Sequence, residues 1–99
     1  MDQLTSMGGS VGALLKERRE TVAVAESSAG GLISAALLSV PGASAYFVGG
    51  GVIYTRDARR GLMGVPEEVA TMRASTEEYA LITARIVRER LNTTWGLCE

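Results

Sequence analysis

The stretch Thr21-Val22-Ala23-Val24-Ala25-Glu26-Ser27-Ser28-Ala29-Gly30-Gly31 (TVAVAESSAGG, residues 21–31) decides how the chain is read. Residues 21–25 are small, apolar and partly β-branched, with no polar alternation. That pattern predicts a short strand buried on both faces, as in a parallel sheet covered by helices. Small polar residues then break the run, and Leu32–Val40 resumes as a helix in which Leu32, Ala35, Ala36 and Leu38 are available for packing. Pro41-Gly42 ends it. A strand, a tight turn and a helix in succession form the repeating unit of a layered α/β domain.

Working outward, Val11, Leu14 and Leu15 recur at helical spacing and lead into a charged end, Lys16 to Glu20. This predicts a short amphipathic helix, disturbed upstream by Gly8-Gly9. Downstream, Tyr46–Tyr54 (YFVGGGVIY) reads as a second strand. Its three glycines point to a bulge or to close approach by another backbone or a ligand. Short helices follow over Arg56–Met63 and, opened by Pro66, over Glu67–Met72. Ser75-Thr76-Glu77-Glu78 is an N-terminal cap signal for a helix over Glu77–Leu91, with Tyr79, Ile82, Ile86 and Leu91 turned inward and Asn92 as its stop. Thr93–Cys98 begins a third strand. The chain stops soon after that strand has started, so a fragment is expected.

At 99 residues the chain is one domain, residues 1–99, and its 46% hydrophobic and 21% charged residues exclude a disordered or low-complexity chain. The net charge of -1 argues against a general nucleic-acid binder, which needs a basic surplus. No segment is apolar for long enough to span a bilayer, and Met1–Gly9 has neither a basic start nor an apolar core, so no membrane partner and a cytoplasmic location are expected. Histidine is absent, which removes Ser-His and Cys-His catalysis and the commonest zinc sites. The single cysteine, Cys98, can form neither an intramolecular disulfide nor a thiolate cluster. No metal and no cofactor are expected.

Two segments carry candidate chemistry. Glu26–Gly31 lies between a strand's carboxyl end and a helix N-terminus, where free N–H groups and the helix dipole favour an anion. The plainer reading is a cap and a tight turn, and the segment has neither a P-loop ending nor a G-x-G-x-x-G fingerprint. Tyr54-Thr55-Arg56-Asp57-Ala58-Arg59-Arg60 sets a phenol, a hydroxyl and three cations at the end of the second strand, which suits a phosphate or carboxylate. A solvated surface is the alternative for Asp57 and Arg60. Ser44 and Tyr46, just before that strand, are candidates for the same crevice, with cap or core roles as alternatives.

Together these motifs resemble the CinA C-terminal domain family, which includes nicotinamide mononucleotide amidohydrolases. The resemblance rests on AESSAGG at 25–31, VPGASAYFVGGGVIY at 40–54, YTRDARRGLMGVP at 54–66, ASTEEYA at 74–80 and TWGLCE at 94–99. It runs from Val11 onward and covers the first part of the family domain. It implies a three-layer α/β/α sandwich, incomplete in this chain, of a competence/damage-inducible family. It also implies hydrolysis of the amide of nicotinamide mononucleotide to nicotinic acid mononucleotide and ammonia, a pyridine nucleotide salvage step. The family motif is similar to A-E-S-C-T-G-G, so Ser27 falls where the nucleophile lies. Glu26, Gly30 and Gly31 match, and Ser28 and Ala29 replace Cys and Thr. The second motif resembles Y-S-N-x-A-K: Tyr54 matches, Thr55 is conservative, Arg56 replaces Asn, and Arg59 stands where the family has lysine. Ser44 matches a small polar position of the substrate pocket.

The resemblance thus gives Ser27, Tyr54 and Arg59 as catalytic positions and Glu26, Ser28, Gly30, Gly31, Ser44 and Thr55 as substrate-binding ones. Arg59 changes the chemistry. A serine hydroxyl needs a base, and an amine of lowered pKa can serve, but a guanidinium stays protonated. It can hold a phosphate or an oxyanion instead. Lys16, the only lysine, is expected on the polar side of the first helix, away from the pocket. The alternatives to an amidohydrolase are a non-catalytic nucleotide-binding or assembly module, and a structural protein that dimerises through the sheet edge near Trp95. The expected partners are nicotinamide mononucleotide or a related phosphorylated nucleotide and, as a homo-oligomer, further copies of the chain.

Overall fold

The computed structural model describes residues 2–99. Three parallel strands, β1 (Val22–Glu26), β2 (Phe47–Val52) and β3 (Trp95–Cys98), form one sheet in the order β2-β1-β3. Parallel neighbours need crossovers, and helices supply them. Helix α1 (Asp2–Arg18) precedes β1, and α2 (Leu32–Leu38) links β1 to β2. Helices α3 (Arg56–Gly61), α4 (Glu67–Ala70) and α5 (Glu77–Leu91) link β2 to β3.

Every residue of β1 is buried, as its unbroken apolar run requires. Alternate side chains serve opposite layers. Val22 and Val24 pack with Leu15, Leu37, Ala43 and Tyr46 beneath α1 and α2. Ala23 and Ala25 pack with Val69, Ala70, Tyr79 and Val87 beneath α4 and α5. The result is a three-layer α/β/α arrangement.

Helix α1 is longer than its sequence pattern predicts, because Gly8-Gly9 does not break it. A Cβ at Gly8 would collide with the Ala36 carbonyl, and one at Gly12 would lie 2.6 Å from the Tyr46 hydroxyl. These glycines are contact points where α1 lies against α2 and Tyr46. Val11 and Leu14 are exposed, while Gly8, Gly12 and Leu15 face inward. In α2 the buried residues are Ala36 and Leu37, with Ile33 against them; Leu32, Ala35 and Leu38 point outward. In α5 the buried line is Tyr79, Thr83 and Val87, with Ile82 and Ile86 beside it and Leu91 exposed. The glycines of β2 match their expected role: pairing with β1 shifts register between Val22 and Ala23, and Gly50 lies so close to the Val24 carbonyl that no Cβ fits. Thr76 caps α5, its hydroxyl accepting from Tyr79 N at 3.2 Å, and Asn92 ends it in the left-handed conformation with φ 52°.

Candidate functional site

In parallel sheets ligands gather outside the carboxyl ends of the strands, where successive crossovers leave in opposite directions. Here β1 is central, with β2 on one side and β3 on the other, and the carboxyl ends of all three open on one cavity of about 470 Å³. Ser27, Ser28, Tyr54, Arg59, Thr76, Tyr79, Cys98 and Glu99 are among its lining residues. Ser27 and Tyr54, 27 positions apart in sequence, therefore share one crevice.

The turn after β1 is held by two carboxylates. Glu26, 1% exposed, curls back over its own chain. Its Oε1 accepts from Gly31 N at 3.1 Å and Ile33 N at 3.0 Å, and its Oε2 accepts from Ser34 N at 2.8 Å. Gly30 N donates to the Ser27 carbonyl. The N–H groups of Gly30 and Gly31, expected to receive a ligand anion, are thus already used within the chain. Glu26 is the anion at the start of α2, a structural role in place of the substrate contact expected from the motif.

The free donors lie earlier in the turn, and Glu99 takes them. Ser27 N and Ala29 N donate to its Oε1 at 2.9 and 2.8 Å. Ser28 Oγ donates to Oε2 at 2.7 Å. Ser27 Oγ lies 2.8 Å from the Glu99 main-chain oxygen and 3.2 Å from Oε2. The Ser28 hydroxyl first, then the Ala29 and Ser27 amides, bring the Glu99 carboxyl down to about 2. The single proton of the Ser27 hydroxyl is thereby directed at Glu99. Its neighbour Cys98, half-buried, has its thiol pushed up by burial and then by the nearby Glu99 charge.

Arg59 is the one guanidinium of its segment that turns inward. It is 5% exposed, with Nη1 donating to the carbonyls of Ala70 at 3.0 Å and Met72 at 2.8 Å. Its guanidinium carbon lies 4.0 Å from the Tyr79 ring centre, a cation–π contact. Its Nε is buried without a partner. Arg60 instead grips Glu67 at 2.8 Å and reaches Asp57 at 3.4 Å on the surface, and its hydrogen bond holds the Glu67 carboxyl below its ordinary range. Arg56 is exposed and does not line the cavity. Tyr54 is 70% exposed at the cavity mouth. Thr55 is the cap of α3, its Oγ1 accepting from Ala58 N at 3.1 Å, and not a lining residue.

Ser44 and Tyr46 do not join this crevice. The parallel register sets Phe47 opposite Val22, so the turn at Ala43–Ala45 lies at the amino ends of the strands, away from Ser27. Ser44 is exposed there. Tyr46 is buried in the α1–α2 layer, its hydroxyl donating to the Leu37 carbonyl at 2.6 Å, and burial raises its pKa. Lys16, exposed on the last turn of α1, is also at that amino end. Sequence reasoning missed Glu99 and Tyr79. The signal for Glu99 was its place just past a strand that neighbours β1.

A parallel sheet layered by helices, with serines, a tyrosine and a buried cation at its carboxyl edge, defines an α/β domain with a crevice at the strand ends. The chain belongs to the CinA C-terminal domain family, whose model matches residues 4–99. It is 49% identical over 88 residues to a CinA-like protein of Synechocystis sp., covering 88% of this chain and 21% of that protein. It is 43% identical over 88 residues to a putative competence-damage inducible protein of Desulforamulus reducens, covering 88% of this chain and 21% of that protein. Among solved structures, the competence/damage inducible protein CihA of Agrobacterium tumefaciens superimposes with TM-score 0.79 at 32% identity, covering 91% of this chain and 55% of that one. Competence damage-inducible protein A of Klebsiella pneumoniae gives TM-score 0.80 at 23% identity, a likeness of fold, over 91% of this chain and 56% of that one. The chain thus spans about a fifth of the curated relatives it matches and about half of the solved chains.

Proposed function

We propose that the cavity receives nicotinamide mononucleotide or a related phosphorylated nucleotide, and that Ser27 attacks the ligand's carboxamide. The observation that carries this reading is the shared cavity of Ser27, Tyr54 and Arg59 at the carboxyl edge of the sheet, in a chain of the CinA C-terminal domain family. In the proposed hydrolysis the Ser27 oxygen adds to the amide carbon, ammonia leaves with the serine proton, and water releases nicotinic acid mononucleotide. Tyr54, at the mouth, orients the amide, and Arg59 supplies fixed positive charge to the phosphate or the developing oxyanion.

The geometry also favours a second reading, of binding with little turnover. The Ser27 hydroxyl has no lysine beside it, and the carboxyl group it faces, held at about 2, is a weak proton acceptor. The two readings separate in one experiment. Ammonia release from nicotinamide mononucleotide, lost in Ser27→Ala, supports the hydrolase. Calorimetric binding without ammonia supports the binding module. Neither binding nor ammonia removes both. Self-association through the open edge of β3 is proposed on the same footing.

A further inference from the structure

The open edge of β3 has a definite hydrogen-bonding pattern. Trp95 N donates to the Thr21 carbonyl and Glu99 N to the Ala25 carbonyl, both at 2.9 Å, and Leu97 pairs with Val24 between them. Backbone groups of alternate residues point the same way along a strand. Those of Gly96 and Cys98 therefore point outward, to the edge that no strand covers among the described residues. Thr94, the preceding residue of that set, has its N–H spent on Thr21 Oγ1 at 3.1 Å. The edge thus offers Gly96 and Cys98, placed symmetrically about Leu97.

Helix α5 supplies a second, independent feature. It packs on β3 at Gly96, where a Cβ would meet the Ala84 carbonyl and lie 2.7 Å from the Arg88 Cβ. Glu77, Leu81, Ala84 and Arg88 recur at helical spacing, so they share that flank of α5. The stripe is acidic at its start, apolar at Leu81, which is 61% exposed, and basic at its end. Laid beside an antiparallel copy of itself, it is complementary in charge.

We infer that the chain pairs with a second copy of itself about a two-fold axis through Leu97, β3 against β3 antiparallel, so that two sheets join into one. This rests on the proposed self-association at β3 and fixes its symmetry and register. Gly96 N donates to the carbonyl of the partner's Cys98, whose N–H donates to the Gly96 carbonyl, and the axis repeats both bonds. Leu97 faces the partner's Leu97 in a non-hydrogen-bonded pair, with Cα atoms about 4.5 Å apart. A register centred on Gly96 needs the spent N–H of Thr94, and one centred on Cys98 carries Gly96 past the partner's β3. The same axis sets Glu77 toward the partner's Arg88. The two Ser27 crevices come to lie at opposite ends of the joined sheet, so pairing leaves both open.

The test uses the 99-residue chain at concentrations where light scattering shows the pair. Leu97→Cys, combined with Cys98→Ser to leave one thiol, should cross-link to the dimer in oxidised glutathione, because Cα atoms at that spacing lie within disulfide reach. Trp95→Cys combined with Cys98→Ser should not, since its two Cα atoms are about 14 Å apart across the axis. Cross-linking at position 95 as fast as at 97 overturns the register. On α5, away from the strand, Glu77→Arg and Arg88→Glu should each weaken the dimer about threefold or more, and the double variant should regain most of that loss. A double variant no tighter than either single one removes α5 from the contact and overturns this arrangement. The two readings fail separately. A chain monomeric up to millimolar concentration removes the self-association and this inference with it. A dimer that cross-links at neither position keeps the self-association and removes the two-fold through Leu97.

Discussion

Glu26 and Glu99 share a side chain and hold the two halves of one turn, yet their consequences differ because one is buried and the other is not. Glu26 satisfies the N–H groups of Gly31, Ile33 and Ser34 in the interior. Glu26→Ala strands all three, and should lower the unfolding free energy by about 3 kcal/mol, read from the urea midpoint. Glu99 is exposed, and its carboxyl lies at about 2, below its ordinary 4.5. Its contribution is therefore complete above about 4.5 and is lost as the pH falls toward 2. The Ser27 and Ala29 amide resonances should follow a titration with its midpoint near 2; a midpoint near 4.5 would show that the turn does not hold the carboxylate in solution. At position 59 the sequence shows the missing amine, but not that the guanidinium is tied to Ala70 and Met72 and stacked on Tyr79. Arg59→Lys supplies a proton acceptor once burial lowers its pKa, so ammonia release from nicotinamide mononucleotide should rise roughly ten- to hundredfold. The same change gives up a carbonyl bond and the stacking, at about 1–2 kcal/mol of stability. An unchanged rate in a folded variant would exclude position 59 from proton transfer.

Elements whose limits are set locally were legible. Thr76 and Asn92 bracket α5 where cap chemistry predicts, and the unbroken apolar run of β1 is buried on both faces. Elements whose limits depend on distant partners were not. Gly8 and Gly9 read as a disturbance of the helix because propensity is a local property, whereas α1 runs through both and Gly8 serves as a contact with Ala36, as Gly12 does with Tyr46. Gly96 is the corresponding case in β3, where a Cβ would meet the Ala84 carbonyl of α5 and come within 2.7 Å of the Arg88 Cβ. Gly96→Ala must push α5 off the sheet and should destabilise the chain by about 2–3 kcal/mol in urea denaturation. Gly61, at the end of α3, is the contrasting position, with nothing within 4 Å of a built Cβ. Gly61→Ala should be neutral or stabilising by up to about 1 kcal/mol, since alanine restricts the unfolded chain more. Equal costs at positions 61 and 96 would mean that close packing of α5 on β3 does not set the price of a side chain there.

At the scale of the molecule, the sheet order explains both what the sequence reading found and what it misplaced. Parallel strands carry the segments that follow them to one edge, so the turn at Ser27 and the segment at Tyr54 meet. The same rule carries segments that precede strands to the other edge, which is why Ser44, close to Tyr54 in sequence, lies away from it. The order also leaves β3 with one neighbour among the described residues, and its outer edge presents unpaired backbone groups. On the α1 side its residues Trp95 and Leu97, 50% and 41% exposed, border grooves with Val11, Leu14 and Met7. An open strand edge beside exposed apolar side chains favours pairing between chains, and we propose a second copy of this chain as the occupant. Light scattering of the 99-residue chain should show mass rising with concentration. Leu97→Lys places a charge in the groove without altering the backbone of β1 or β2, and should return the chain to the monomer mass while its circular dichroism stays native. Mass that stays monomeric across the micromolar to millimolar range would remove the proposal. Association that persists in folded Leu97→Lys would move the contact away from this edge and leave the opposite one, at β2, as the place to look.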